Sequence, residues 1–436
     1  TRRGELGASS DVSAGLSIRR ANFDFRLDNR SHRIEMGPSR VIADGIDVTL
    51  VGVIRQLRDQ RAWTISINAT EGFVQPAAVA SPAGQSRRVK IDRFRVRGRY
   101  EPDLNSLNFE QILLAVADGV ITATGSITQR PTTTRAVASN TTRRAQSGPT
   151  DNALQYQLRG EISSFGLETI KAVWPPNLMP GPRAWFVSNT AQGAVTNGRF
   201  AIETPDPRRL DVSGVNGWRT NTSLGTAERI DRGNLPNITA DIALQGVRFR
   251  GLEALPWIDV PSARLQLAGR VMEVKADRGK LVIPQNGGTA DMTGLTYRQA
   301  RVWTGDQGGE ASFKIAGDVK QALATLADPA FGIDAGDLLR RGARGKITAD
   351  IGLVLPSVVA VEAAIARGDT MWPALTGTAK VTDGAVRHAR LPHEVTRGQM
   401  TIELGSRAIS LQGDMRIGGV PAKVAWQYLV GDGTRT

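Results

Sequence analysis

No cysteine occurs anywhere in the 436 residues, which removes both a disulfide framework and any thiolate metal site. Histidine is nearly absent too, with only His32, His388 and His393. His388 and His393, with Glu394, have Pro392 between them and lack the i, i+4 helical spacing of a zinc hydrolase. They read as solvated residues of a strand and turn, and no metal site is expected. No G-x-S-x-G occurs, and no lysine stands three residues after a serine. "RRGARGKI" has the Gly345-Lys346 of a phosphate loop but not its leading glycine, and Ile347 stands where Ser or Thr is required. These absences leave no catalytic residue and no cofactor to expect, and an enzyme is disfavoured.

Long apolar runs are also missing. No segment reaches the roughly 18 consecutive apolar residues of a membrane-spanning helix. Four tyrosines and eight scattered tryptophans do not supply the aromatic girdles of a transmembrane barrel. No signal peptide is visible, and "TRRGELGASSDVSAG" reads as a cut through something longer, so the chain is expected to be an excerpt or a processed product.

Charge, in contrast, is abundant and one-sided. The net charge is +13, carried mostly by arginine and spread from Arg2 to Arg435. Such a balance permits contact with anionic lipid headgroups. Nucleic-acid binding is not expected, because it calls for a gathered basic patch with aromatics interleaved. The simplest use of the arginines is on the wet side of many strands.

The dominant pattern is period-two alternation. Phe23, Phe25 and Leu27 alternate with Asp24 and Arg26, and Phe94 and Val96 with Arg93, Arg95 and Arg97. The same holds for Val247 and Phe249, Leu265 and Leu267, Met272, Val274 and Ala276, and Ile409 and Leu411. Each strand therefore has one apolar and one polar side, the signature of antiparallel sheet rather than of a parallel sheet covered on both faces. Short strands with hairpin turns at Asp44-Gly45, Asp118-Gly119, Asn197-Gly198 and Asp383-Gly384 are predicted. "FDFRLDN…ADGIDVTLVG" and "FRVRGRY…ADGVITATG" read as two degenerate copies of one β unit.

Helical signals are few. Asp318 and Pro329 bracket a short amphipathic helix, "SSFGLETIKAVWP" allows a turn or two before Pro175, and Pro182 starts another that ends before Gly193. Gln75 to Arg87 and Thr128 to Ala153 have no periodicity and read as mobile loops or linkers.

One stretch is specific enough to suggest a family. "VWPPNLMPGPRAWFVSNTAQGAVTNGRFAI" resembles the "WP…P..R.W…N…G" segment of AsmA-like proteins, in particular the group related to YhdP and TamB. Trp174, Pro175, Pro182, Arg183, Trp185, Asn189, Gly193 and Phe200 carry the match. "VRFRGLEALPWIDVPSARLQLAGRVMEVKADRGKL", "RGKITADIGLVLPS", "ALTGTAKVTDGAV" and "ISLQGDMRIGGVPAKVAWQY" resemble later segments of that group in the same order.

The resemblance implies an envelope protein, periplasmic and anchored in the inner membrane by an N-terminal helix that this sequence lacks. It further implies a bridge-like lipid-transfer protein whose partners are phospholipid acyl chains and a component at the outer membrane or elsewhere in the envelope, with no catalytic residues.

The expected fold is all-β with a few short helices, an elongated, curved and half-open antiparallel β-groove built from repeated strands. The expected division is an N-terminal β-repeat part at 1–127, a Thr/Arg/Pro-rich loop or linker at 128–153, and a groove region at 154–436 with short helices near 164–192 and 318–327. Candidate groove-lining residues are Phe23, Phe25, Leu27, Phe94, Val96, Phe249, Leu265, Leu267, Met272, Val274, Ile351, Leu353, Ile409 and Leu411. Trp185 is expected to plug one side of the groove or pad its convex face. On pattern alone, the same apolar faces could close as a sandwich core in a non-enzymatic scaffolding protein of the envelope.

Overall fold

The computed structural model describes residues 2–5, 18–43, 46–57, 61–74, 88–131, 152–174, 180–204, 237–251, 256–269, 271–282, 289–300, 308–326, 339–357, 360, 363–364, 366–367, 374–387, 393–405 and 408–429. The fold is all-β, antiparallel and open, with three short α-helices among the described residues. None of these helices is long and apolar enough to cross a membrane. The chain divides into two compact units, Thr1–Ala184 with Val195–Asp241, and Trp185–Ala194 with Ile242–Thr436.

The first unit begins with β1 (Arg2–Glu5), β2 (Ile18–Asp28), β3 (Arg33–Ala43), β4 (Ile46–Gln56) and β5 (Trp63–Val74). It continues with β6 (Val89–Glu101), β7 (Ser106–Val116), β8 (Gly119–Pro131) and β9 (Asn152–Gly166). Helix α1 (Leu167–Val173) and the first turn of α2 (Pro180–Asn189) follow, and β10 (Thr190–Thr204) belongs to this unit from Val195 onward, the residues between lying in the second unit. Each strand from β1 to β9 pairs antiparallel with the next.

The second unit contains the later part of β11 (Asn237–Phe249), then β12 (Trp257–Ala268), β13 (Val271–Val282), β14 (Thr289–Gln299), β15 (Gly309–Asp318) and α3 (Val319–Leu326). It ends with β16 (Arg344–Val354), β17 (Ala374–Val386), β18 (Val395–Leu404), β19 (Ala408–Ile417) and β20 (Val420–Leu429). From β12 to β20 each strand again pairs with its neighbour in sequence. Neighbour-to-neighbour pairing is a meander, which builds one sheet; a Greek key would instead return a strand beside an earlier one.

The strands are not short, as the alternation suggests, but mostly run 10 to 15 residues, about twice the usual length. The reason lies in β-bulges that shift the phase in mid-strand. In β14, Met292 and Leu295 are both buried, with Thr293 and Gly294 both exposed between them, and the register with β15 shifts there. "VTDGAV" in β17 and "VTRGQM" in β18 repeat the arrangement, with Asp383 and Arg397 at positive φ of 50° and 52°. Their glycines, Gly384 and Gly398, pair across the two strands. Two successive outward residues between covered ones are what a bulge produces.

This corrects two hairpin expectations. Asn197-Gly198 lies inside β10 and Asp383-Gly384 inside β17. Asp118-Gly119 is a true turn, closed by the Val116 and Gly119 pair, with Ala117 at φ 46°. Gly418-Gly419, at φ 57° and 86°, closes the β19–β20 hairpin in the manner of a type I′ turn. Asp44-Gly45 and residues 75–87 lie outside the described residues. So does most of the stretch read as a linker, except that Thr128–Pro131 and Asn152–Ala153 are paired strand ends rather than loop. The two degenerate repeats each occupy three consecutive strands, β2–β4 and β6–β8.

Candidate functional site

Register decides which side chains share a face. In the first unit, Phe25 pairs with Met36, Met36 with Gly52, Gly52 with Ile67, Ile67 with Val96, Val96 with Ile112, Ile112 with Ala123 and Ala123 with Gly160. This single row crosses eight strands, about 34 Å at the usual strand spacing, without one polar residue. A parallel row runs from Leu27 through Ile34, Ile54, Ile65, Gly98, Phe109 and Gly125 to Leu158. Phe94, Leu114, Ile121 and Ile162 form a third. Phe23 stacks on Phe25, ring centroids 5.7 Å apart.

The second unit repeats the design. Leu265 pairs with Val274, then the row continues through Tyr297, Ala311 and Leu353 to Leu375. Leu267 faces Met272. On the same face Met292, Ile315, Ala349, Ala379, Ile402, Leu411 and Trp426 cross seven strands, and Phe313, Ile351, Gly377, Leu404 and Ile409 cross five. Phe249 stands on β11 two residues beyond buried Val247, on the same face by alternation. A cleft of about 590 Å³ at β11–β14 touches Val247, Val260, Pro261 and Met292 together with Asp259, Arg278 and Lys280.

Register joins ten of the fourteen candidate lining residues into these rows and pairs Leu267 with Met272, while Phe23 and Phe249 take the same faces by alternation with Phe25 and Val247. The sequence reading missed the members on strands it did not single out, such as Met36, Ile67, Ile112, Met292 and Ile402. The alternation in "WTISINA" carried that signal for Ile65 and Ile67.

Coverage of the rows is uneven along the strands. In the first unit, Val116 is 0 % exposed, and Ala43, Val74 and Ile91 near the same strand ends are also buried. At the other ends Leu27 is 67 % exposed. Between these limits Ile34, Ile54, Ile65, Ile67, Val96 and Ile112 are all half-buried. The opposite face carries the charge, interspersed with Val51, Val53 and Leu113: Arg97 lies between Ser66 and Gln111, and Arg95 donates to the Asn68 Oδ1 at 3.0 Å.

One polar pair sits within the second unit's rows. The Tyr297 hydroxyl donates to Gln299 Oε1 at 3.2 Å, and burial pushes the phenol up to about 12. Burial pushes the Tyr156 phenol up as well.

The Pro- and Trp-rich segment is a helical connector held by arginine. Asp118, from the β7–β8 turn, caps the start of α1 by accepting from the Gly166 N–H at 3.2 Å and the Thr169 hydroxyl at 3.1 Å. Phe165 lies over Gly119, where an added Cβ would run into the ring, and Phe165 and Leu167 are buried there. At the other end of α1, Arg183 is 5 % exposed and donates to the carbonyls of Trp174 at 2.9 Å and Lys171 at 3.4 Å. Burial lowers its guanidinium below the ordinary arginine value, while the carbonyl end of a helix favours a cation.

In the second unit Arg250 serves α2 alike. Its backbone N–H reaches the Asn189 carbonyl at 2.9 Å, its guanidinium reaches the Ser188 carbonyl at 3.3 Å, and it stacks over Trp257 at 4.7 Å. Thr190 donates to the Phe186 carbonyl at 2.7 Å. Gly193 has φ 130°, and a Cβ there would stand 2.9 Å from the Val247 Cα, so both conformation and space demand glycine. Asn189 is buried. Pro175 lies outside the described residues, and Pro182 and Trp185 belong to α2 with side chains outside them; the expected plug by Trp185 falls there.

Charged groups elsewhere are spent on the polar face. Arg40 holds Asp47 bidentately at 2.8 and 2.7 Å, which keeps that carboxyl below its usual range. Arg248 holds Asp259 at 2.5 and 2.6 Å. Asp318 directly precedes α3, and its carboxylate accepts from Lys346 at 2.6 Å. Glu394 accepts from Arg344 at 3.0 Å. Among the described residues no three acidic or histidine side chains converge as a metal site.

No family model, curated protein or solved structure compared with this chain matches it.

Proposed function

We propose that the chain is a periplasmic segment of an AsmA-like protein that carries phospholipid along a hydrophobic β-groove between the inner and outer membranes. In this reading it supports lipid homeostasis of the outer membrane, and anchoring in the inner membrane belongs to the parent chain. One observation carries the proposal. Unbroken apolar rows cross many strands, yet their central side chains stay half-buried. A closed sandwich would seal such rows throughout, as close packing of a core requires.

The energetics suit the task. Exposing a 16-carbon tail to water costs roughly 12 kcal/mol at about 0.8 per CH₂. Rows of Ile, Val, Leu and Met cover such a tail without directional bonds, so successive positions are nearly equal in energy and the tail slides. The headgroup stays in water, and the arginine-rich opposite face keeps the sheet soluble.

Protein purified without detergent should yield phospholipid by mass spectrometry, and Leu267→Asp or Val274→Asp should abolish it. Repeated preparations free of lipid would overturn the reading.

A further inference from the structure

The two ends of the first unit's strands differ in chemistry. At one end the β7–β8 turn is committed to structure, with Asp118 capping α1 and Phe165 covering Gly119. At the other end lie the β2–β3 turn at residues 29–32, the β4–β5 connection and the Pro102–Leu104 turn between β6 and β7. Four of the first unit's five exposed large apolar side chains stand there, Phe73 being at the opposite end. Leu104 is 62 % exposed on its turn, Leu27 is more exposed still, and Phe25 and Tyr100 are exposed as well.

Cations accompany them. Arg30 occupies the β2–β3 turn, and Arg26 and Arg55 stand on strands leading to this end, all three exposed. Among the described residues no carboxylate pairs with their guanidinium groups. The turn's own acid, Asp28, is occupied by the Ser31 hydroxyl at 2.6 Å and the Arg30 N–H at 3.0 Å.

Around Leu27 and Phe25, exposed apolar side chains beside arginines without carboxylate partners match a bilayer surface, whose acyl region takes the apolar tips while headgroup phosphates take the guanidinium groups. On the Leu104 side, Asp103 and Glu101 are held by Arg61 and Arg99 at 3.6 and 3.0 Å. The row Leu27–Ile34–Ile54–Ile65 opens at this same rim.

We infer that this rim docks on an anionic lipid bilayer, where a lipid passes between membrane and groove without crossing water. The inference rests on the groove reading for its purpose but has its own test. The full chain is sedimented with phosphatidylcholine vesicles, with and without a quarter of phosphatidylglycerol, alongside Leu104→Asp and the triple variant R26Q/R30Q/R55Q. Urea unfolding of each variant verifies that it is folded.

Wild-type protein should bind the anionic vesicles. The triple variant should bind about 100-fold more weakly and Leu104→Asp about tenfold more weakly. Variants that bind like wild type, or wild-type protein that carries lipid yet ignores vesicles, would overturn the inference. A wild-type dimer dissolved by Leu104→Asp would also overturn it, by making the rim a protein contact. Wild-type protein that binds vesicles through this rim but carries no lipid would keep the rim and remove the groove.

Discussion

Arg183 Nε donates to the Trp174 carbonyl at 2.9 Å, so the helix that follows closes the end of the one before it. The Pro-rich link between α1 and α2 is therefore tied by one buried guanidinium across nine residues of sequence. Removing it leaves two helix-end carbonyls without their charged donor. Arg183→Ala should cost about 2 kcal/mol, in the range for a hydrogen bond to a charged group. Arg183→Lys should recover only part, since a point charge replaces a fork. Urea unfolding of the three proteins measures both, and an unchanged midpoint in Arg183→Ala would remove the clamp from the account.

Gly193 offers a sharper steric test. At φ 130° and with Val247 Cα 2.9 Å from where a Cβ would sit, Gly193→Ala must distort one strand or the other. A loss of about 2 kcal/mol or more in the same unfolding assay is expected.

Tyr297 gives a pH signature. Burial raises its phenol to about 12 in the folded chain, against about 10 when unfolded. The folded state therefore holds a proton that the unfolded state has released. The stabilisation is complete below pH 10 and is lost as pH rises from about 10 to 12. Ultraviolet titration of tyrosinate should show this late ionisation in wild type and not in Tyr297→Phe. A wild-type curve identical to that of the variant would contradict the burial.

Much of the fold was legible because period-two alternation survives locally wherever one face is wet. Phe94 and Val96 among arginines, or Leu265 and Leu267, announce both the strand and its apolar side. Strand length was not legible, because the apolar phase reverses in mid-strand: Met272, Val274 and Ala276 end one run, and Gly279 and Leu281 begin another on the same strand and face. The same physics misled the turn reading. A polar residue followed by glycine closes a two-residue turn at Asp118-Gly119, where Ala117 has the positive φ, and sits in a bulge at Asp383-Gly384, where Asp383 itself has it. Register separates the two, and register is set by long-range pairing. The cross-strand rows share this limit, for the pairing of Val96 with Ile67 and Ile112 is nowhere written in β6 itself. Arg183 and Gly193 stood out by residue type, but their partners, the α1 carbonyls and Val247, become neighbours only in the folded chain.

The groove reading predicts opposite behaviour for two adjacent residues of β6. Val96 belongs to the apolar row, while Arg97 points to the polar face between Ser66 and Gln111. A photo-crosslinking amino acid placed at each position in turn, in cells or with added phospholipid, reads the two faces separately. The account predicts a phospholipid adduct from position 96 and none from position 97. No adduct at 96, or equal adducts at both, would contradict it.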